Sequence, residues 1–199
     1  MKATRVHLLR HGQVEGFEQK CYNGQADIAL TDLGRKQSAV FAGRLQHKKL
    51  AAIYSSDLLR CRAAADQIAI LQQPSPQYKE QLRELHIGDW QGKRWQQLQR
   101  DYPELWQARL DDIVNVAAPN GETLQQMAER VRMVMQGIIA AHPGGEVVVV
   151  AHGGVNRVIL LDAIGAPLDR LFHIEQDFGC HNIIDYFTDG IAVVKQLNG

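Results

Sequence analysis

The sequence is short of cysteine, of net charge and of long apolar runs, and each shortage excludes a class of protein. Its three cysteines are odd in number and widely spaced, which argues against a disulfide framework and against a structural metal site. Its 22 basic residues balance 22 acidic ones, so we expect no nucleic-acid partner and no membrane partner. No apolar stretch approaches the roughly 18 residues of a membrane span, and the first residues contain no signal-peptide core. We therefore expect a cytoplasmic protein.

Short apolar runs alternate with amphipathic stretches along the chain. With 199 residues, 45% of them hydrophobic, the chain can bury the core of one domain, and we predict a single domain over 1–199. The valine run at 147–150 is typical of a central parallel strand, and a turn at 188–190 indicates a closing hairpin. We therefore predict an α/β fold with a mostly parallel central sheet and an antiparallel edge strand. The predicted strands lie at 6–9, 50–54, 147–150, 183–187 and 191–194, the helices at 31–48, 58–71, 124–139 and 155–164, and a loop at 73–76.

The first predicted helix carries an apolar stripe. It begins at Thr31, a plausible N-cap, and continues to about Lys48. Its large apolar side chains recur at helical spacing and so lie on one face of the helix, which we expect to pack on the sheet. These residues are Leu33, Val40, Phe41 and Leu45.

Residues from about 88 to 120 have no clean period, and we predict a small, lid-like helical excursion there. Prolines at 103 and 119 interrupt its short helical patterns. Irregular segments often carry function. The aromatic residues of the excursion could therefore contact a substrate, or they could serve only to pack its core, and the sequence leaves both readings open. They are Trp90, Trp95, Tyr102 and Trp106.

Two histidines follow buried strands in the same way. Arg10 and His11 come directly after the apolar run at 6–9, and His152 follows the run at 147–150. Open α/β sheets bind ligands at the carboxyl ends of their strands, so the two histidines converge if their strands are neighbours. A guanidinium fits a phosphate or a carboxylate, and a neutral imidazole is a nucleophile near neutral pH. The pattern therefore predicts an anion held beside a nucleophile.

Arg60 falls in the first turn of the helix predicted at 58–71. The free N–H groups and the positive end of the helix dipole make that position a natural anion site. A cation is unfavourable there unless an anion binds, although an exposed surface arginine is the alternative interpretation. The polar loop at 14–30 is expected to fold back over the first strand end, where it could line the same pocket.

Five motifs in this order resemble one known family. Arg-His-Gly at 10–12 ends the first strand, Ser-Ser-Asp-Leu-Leu-Arg at 55–60 opens a helix, and Gly-Glu at 121–122 precedes the longest helix. The others are Leu-Arg-Glu at 82–84 with Gly-Asp-Trp-Gln-Gly at 88–92, and Ala-His-Gly-Gly at 151–154. Together they resemble the histidine phosphatase superfamily, in particular its phosphoglycerate-mutase-like branch, which includes α-ribazole phosphatase and fructose-2,6-bisphosphatase. The resemblance covers residues 5–160 and implies a three-layer α/β/α sandwich.

The resemblance also implies catalytic roles. His11 is the nucleophile that becomes phosphorylated, and Glu84 is the proton donor and later the base. Arg10, Arg60 and His152 hold the phosphoryl oxygens, over which negative charge spreads during transfer. A backbone carbonyl is expected to fix the second nitrogen of the nucleophilic ring. No metal or other cofactor is implied, because the arginines take the role of a metal ion. The predicted substrate-binding residues are Arg10, Gly12, Gln13, Asn23, Gly24, Arg60, His152 and Gly153.

Two positions depart from the family pattern. Phe17 stands where many members carry asparagine, and Cys21 stands where many carry arginine. One hydrogen bond of the phosphate pocket is therefore missing, or it is supplied by Asn23 or Gln25.

The function implied is a metal-independent phosphatase that acts on a small-metabolite phosphomonoester through a phosphohistidine. Among named substrates α-ribazole 5′-phosphate, a compound of cobalamin biosynthesis, is favoured because the motif at 88–92 resembles that phosphatase among others. The expected partners are a small phosphorylated metabolite and inorganic phosphate, and the sequence indicates no oligomeric state. The alternatives are a phosphoglycerate mutase and a non-catalytic phosphate-binding regulatory domain. A metal hydrolase built from His11, Glu84, His86 and His152 is a further alternative.

Overall fold

The computed structural model describes residues 2–199 and contains a six-stranded mixed sheet with helices on both faces. The strand order is β3-β2-β4-β1-β5-β6. Strands β3, β2, β4 and β1 are parallel to one another, whereas β5 pairs antiparallel with β1 and β6 pairs antiparallel with β5. The predicted α/β fold with a mostly parallel sheet is thereby confirmed, and its antiparallel edge contains two strands. The strands are β1 (Thr4–Arg10), β2 (Leu50–Ser55), β3 (Pro76–Tyr78), β4 (Glu146–Ala151), β5 (His181–Tyr186) and β6 (Ala192–Gln196).

Six α-helices connect these strands in the described chain. The longest begins after Thr123, whose hydroxyl accepts the backbone N–H of Gln126 while the Gln126 side chain accepts the N–H of Thr123. This reciprocal cap satisfies two N–H groups that have no partner within the helix. The helices are α1 (Asp32–Leu45), α2 (Leu59–Ile70), α3 (Trp95–Asp101), α4 (Pro103–Asp111), α5 (Leu124–Ala141) and α6 (Gly153–Ala163).

The apolar side chains of the central strands form a core on each face of the sheet. On one face Val147 and Val149 pack with residues of α5 and α6. On the other face Val148 and Val150 pack with residues of α1 and α2. Successive side chains of a strand point to opposite faces, so a run of four valines serves both cores. This arrangement confirms the central parallel strand predicted from the run.

The pairing of β1 with β4 brings the two histidine motifs together. Arg10 lies opposite Ala151 in the parallel register, so the next residue of each strand is a histidine. The backbone N–H of His11 also donates to the carbonyl of Ala151 at 3.1 Å. The convergence of His11 and His152, which the sequence made conditional on neighbouring strands, is therefore confirmed.

Two local expectations were wrong. A parallel edge strand, β3, begins at Pro76 in the segment predicted as a loop; proline is tolerated at the start of an edge strand, where its missing N–H breaks no ladder. Leu33 and Val40 on α1 are each 50% exposed, whereas Phe41 and Leu45 are buried as expected. The small residues Gly34, Ser38 and Ala42 lie on the buried face of α1, where Gly34 meets the backbone after β1, and the two larger side chains lie on the exposed face.

The excursion between β3 and α5 has a small apolar cluster of its own. Trp90 is fully buried there and packs with Ile87, Leu98 and Ala118. Trp106 packs against this cluster and stacks on Trp90, with ring centroids 5.9 Å apart. Helices α3 and α4 thus rest on a separate centre of packing.

None of the helices within residues 2–199 combines the length and apolarity needed to cross a membrane.

Candidate active site

His11 lies immediately after β1 and is 5% exposed. Its Nδ1 lies 2.8 Å from the carbonyl oxygen of Gly12, which accepts a hydrogen bond and so assigns the ring proton to Nδ1. Burial, with smaller contributions from Arg60 and Arg10, holds the pKa of His11 well below its usual range. The ring is therefore neutral at neutral pH, and Nε2 carries a free lone pair. The carbonyl expected to fix the second ring nitrogen is present.

Gly12 serves the site through its backbone. A Cβ atom here would lie 2.2 Å from the carbonyl oxygen of Gly34, so only glycine allows the first turn of α1 to pack against the strand end. The carbonyl of the same residue accepts the hydrogen bond from the His11 ring.

Arg10 directly precedes His11 and lines the same cavity. One terminal nitrogen donates to the carbonyl of Gln176, and Cζ lies 4.0 Å from the centroid of the Phe178 ring. Nε is buried and has no hydrogen-bond partner. An unpaired buried donor is costly unless a ligand satisfies it, so this N–H is suited to an anion.

Arg60 is the second residue of α2 and is 2% exposed. Its terminal nitrogens donate to the carbonyls of Ala26 at 2.6 Å and Gly24 at 2.7 Å. Its Nε donates to Nδ1 of His152 at 3.2 Å. A guanidinium has five N–H donors, so two remain for a ligand. The sequence placed Arg60 in the first turn of its helix correctly.

The first turn of α2 is capped by a residue that is distant in the sequence. The N–H of Leu59 donates to the Asp27 carboxylate at 2.9 Å. The serines before the helix do not accept this N–H, which is bonded to the loop residue instead. The loop that precedes α1 is thus tied to α2 at the pocket.

His152 is completely buried, and its ring centroid lies 5.2 Å from that of His11. Because Arg60 donates to Nδ1, the neutral ring carries its proton on Nε2, which lies 2.9 Å from the hydroxyl of Ser56. Burial, and next the charge of Arg60, keeps the pKa of His152 well below its usual range. Both ring nitrogens therefore have protein partners, and the hydrogen bond from Arg60 to His152 helps to hold the guanidinium in place.

Glu84 faces the helix that follows His152. One oxygen accepts the backbone N–H of Leu85 at 2.8 Å, and the other accepts the N–H of Gly154 at 3.1 Å. A Cβ atom on Gly154 would lie 2.5 Å from this carboxylate. The second glycine of the Ala-His-Gly-Gly motif thus makes room for the carboxylate and binds it.

These groups open into one cavity of about 510 Å³. Four residues predicted to bind substrate do not line it: Gly12, Gln13, His152 and Gly153. The Gln13 side chain instead accepts a hydrogen bond from Thr31 at 3.0 Å. The predicted residues that do line the cavity are Arg10, His11, Asn23, Gly24, Arg60 and Glu84.

Sequence reasoning missed several residues of the cavity wall. Gly154 is the last residue of the Ala-His-Gly-Gly motif and could have been found from it. The others come from α4, from α6 or from the segment before β5, where no periodicity or motif marked them. They are Arg109, Arg157, Glu175, Gln176 and Phe178.

No group of three or more histidine, cysteine, aspartate or glutamate side chains within residues 2–199 is arranged to hold a metal ion. The set of His11, Glu84, His86 and His152 considered from the sequence therefore does not form a ligand cluster.

A family model described as the histidine phosphatase superfamily (branch 1) matches residues 6–198. The chain belongs to this superfamily. It is 31% identical over 196 residues to a bifunctional protein of Mycobacterium tuberculosis, with 98% of the chain covered but only 54% of that protein. The chain thus spans about half the length of the first curated relatives it matches.

Two α-ribazole phosphatases match over nearly their whole length. An adenosylcobalamin/α-ribazole phosphatase of Salmonella typhimurium is 28% identical, with 98% of this chain and 96% of that protein covered. The crystal structure of the α-ribazole phosphatase from Shigella flexneri superposes with a TM-score of 0.90 at 26% identity, covering 98% of this chain and 96% of that one.

This histidine phosphatase superfamily member differs from the family pattern at two places near the cavity. Phe17 packs edge-on against Phe178, with ring centroids 6.1 Å apart, and Cys21 lines the cavity. Of the two residues expected as alternative sources of a hydrogen bond in the pocket, Gln25 donates its side-chain amide to the carbonyl of Glu84 at 3.1 Å. Asn23 lies in the cavity wall.

Proposed function

We propose that the chain is a metal-independent phosphatase that hydrolyses a small phosphomonoester through a phosphohistidine. The observation that carries the proposal is the neutral His11 ring, with Nδ1 bonded to the Gly12 carbonyl and two arginines alongside. An imidazole fixed in this tautomer directs its Nε2 lone pair at a phosphorus atom, and the arginines offer donors to the phosphoryl oxygens.

In the first step, Nε2 of His11 attacks phosphorus in line with the ester oxygen. The N–P bond forms as the P–O bond breaks, and the departing oxygen takes a proton from the Glu84 carboxyl group. The unpaired Nε of Arg10 and the two free donors of Arg60 stabilise the charge on the equatorial oxygens.

In the second step, the Glu84 carboxylate accepts a proton from water, and the water oxygen attacks the phosphohistidine. The N–P bond breaks, inorganic phosphate leaves, and both residues return to their starting states. His152 acts here as a positioning residue, because it accepts from Arg60 and is bonded to Ser56.

The substrate proposed from the sequence, α-ribazole 5′-phosphate, has an aromatic base. Trp90 and Trp106 belong to the packing of the excursion, whereas Trp95 lines the cavity and is 40% exposed. One aromatic side chain of the excursion thus remains available for stacking. The similarity to two α-ribazole phosphatases keeps this ester in the test panel.

The test is phosphate release from α-ribazole phosphate, 3-phosphoglycerate, glycerol 3-phosphate and an aryl phosphate, all in the presence of a chelator. Wild type is compared with His11→Ala and with His47→Ala, a control at an exposed position outside the cavity. We expect His11→Ala to abolish release and His47→Ala to retain it. Release that survives in His11→Ala contradicts the mechanism. An isomerised ester in place of free phosphate indicates a mutase, and binding without turnover indicates a regulatory domain.

A further inference from the structure

Arg109 is a buried cation in the cavity wall that the proposed mechanism does not use. It lies on α4 and is 4% exposed. Its Nη1 donates to the carbonyl of Val116 at 2.5 Å, and its Cζ lies 5.7 Å from the centroid of the Trp90 ring. These contacts hold the guanidinium in place, and Arg109 lines the same cavity as His11 and Glu84.

Within residues 2–199, Arg109 makes no salt bridge with a carboxylate, and its hydrogen bond goes to the carbonyl of Val116. Burial lowers its pKa, and the group that opposes this effect is the phenol of Tyr22, which is neutral. The other arginine outside the phosphoryl site, Arg157, is bonded to the carbonyl of Ile174 and lies 3.6 Å from the carboxylate of Glu175. A buried charge without a counter-ion is costly, so an anion that enters the cavity is favoured at Arg109.

The charges of the cavity match a ligand with more than one anionic group. Four arginines and two glutamates line it. When Glu84 is protonated, as it must be to act as the acid, three positive charges are left without a counter-charge in the wall. A phosphomonoester carries at most about two negative charges. One positive charge therefore remains.

Arg109 stands apart from the phosphoryl site. Its contacts are with the Val116 carbonyl and the Trp90 ring of the excursion, whereas Arg10 and Arg60 are bonded to residues around the strand ends. The positive charge of Arg109 is thus held by the excursion, in a part of the cavity wall that is left for the rest of an ester when Arg10 and Arg60 hold its phosphoryl group.

We propose that Arg109 binds a carboxylate on the alcohol part of the substrate, so that the preferred substrates are phosphomonoesters of small hydroxy acids. This inference rests on the proposed phosphatase function. A carboxylate carries the single charge that is missing, and a guanidinium can bind both of its oxygens. The neighbouring Tyr22 hydroxyl, which burial keeps protonated, is a further donor in the same wall. Among the candidates, α-ribazole 5′-phosphate has no such carboxylate and ranks below an acid-bearing ester.

The test compares two esters that differ in one group. 3-Phosphoglycerate has a carboxylate where glycerol 3-phosphate has a hydroxymethyl group, so the ratio of their kcat/KM values isolates the contribution of the carboxylate. We expect wild type to favour 3-phosphoglycerate by about 10-fold or more, the size of a hydrogen-bonded charge pair. Arg109→Met should bring the ratio close to one, and Arg109→Lys should restore part of it.

Arg100→Met is the matched control, because Arg100 lies on the neighbouring helix α3 with an exposed side chain paired to Asp101. It should keep the wild-type ratio. An Arg109→Met variant that loses activity equally on both esters shows that Arg109 only supports the excursion, and this result overturns the inference. A preference for a bisphosphate that depends on Arg109 also overturns it, because the bound group is then a second phosphate.

Calorimetric binding of the same two esters to His11→Ala gives a readout that does not require turnover. Tighter binding of 3-phosphoglycerate, lost when Arg109→Met is added, supports the carboxylate site even if no phosphate is released by wild type. Equal affinity for the two esters refutes the carboxylate site even if the phosphatase function is established. The two proposals can therefore fail separately.

Discussion

A pair of buried histidines between β1 and β5 makes the fold sensitive to acid. Nδ1 of His7 lies 3.0 Å from Nε2 of His181, so one ring donates and the other accepts, and this requires a lone pair. Burial and the neighbouring His7 lower the pKa of His181 to about 4, and the charges of Arg44 and Lys48 act in the same direction. We predict that His181 is one of the buried histidines through which the fold loses stability in mild acid.

The sign and size follow from proton binding. An unfolded histidine titrates near its ordinary pKa of about 6.5. Below that pH, His181 therefore binds a proton in the unfolded chain but stays neutral in the folded chain. The contribution of neutral His181 to the free energy of unfolding is therefore fully present above about pH 6.5 and declines as the pH falls. With a folded pKa of about 4, the loss is about 2 kcal/mol at pH 5 and about 3 kcal/mol when the decline is complete.

The measurement is urea unfolding of wild type and His181→Gln at several pH values between 7 and 4. Glutamine retains a donor and an acceptor but does not titrate, so the difference in unfolding free energy between the two proteins should shrink or reverse by about 2 to 3 kcal/mol over this range. His173→Gln, at an exposed position, should give a curve parallel to that of wild type. Parallel curves for wild type and His181→Gln would refute the reasoning.

Two substitutions near the nucleophile test the chemistry and the packing. Glu84→Gln should slow the release of the alcohol in a single turnover about 10²- to 10⁴-fold on alkyl phosphates, whose departing oxygen needs a proton, but far less on a nitrophenyl phosphate, whose leaving group does not. Equal losses of this single-turnover rate on both esters would contradict the role of Glu84 as the acid. Gly12→Ala should lower the unfolding free energy by about 1 to 3 kcal/mol, because its Cβ would meet the Gly34 carbonyl oxygen. Gly43→Ala has open space around the new Cβ and should raise the unfolding free energy by about 0.5 to 1 kcal/mol. Both variants are compared with wild type by thermal denaturation. Similar losses of stability in both would show that the close approach of Gly12 and Gly34 is unimportant.

Sequence patterns were sufficient for the parts of the site that depend on strand ends. The valine run identified β4 as central, and the apolar run before Arg10 identified β1, so His11 and His152 were expected to meet once these strands proved adjacent. The position of Arg60 followed from the start of its helix. In each case one local pattern determines the place of one side chain.

Contacts between distant loops could not be derived in this way. The carbonyl of Gln176 binds Arg10 across 166 positions of the chain, and its segment has no periodicity. Likewise, nothing in the local sequence shows that His152 accepts a hydrogen bond from Arg60. Such contacts depend on how complete elements pack, and the outward side chains of α1 were misassigned for the same reason.

The cluster around Trp90 gives the excursion a packing centre of its own. Trp90, Leu98 and Ala118 bury one another, and Leu85 links them to one core of the sheet, whereas the two histidines of the site directly follow β1 and β4. We therefore expect substitutions in α3 and α4 to alter the wall of the cavity more than the strand ends. In the proposed phosphatase, such substitutions would change the preference for the alcohol group before they change the chemistry at phosphorus.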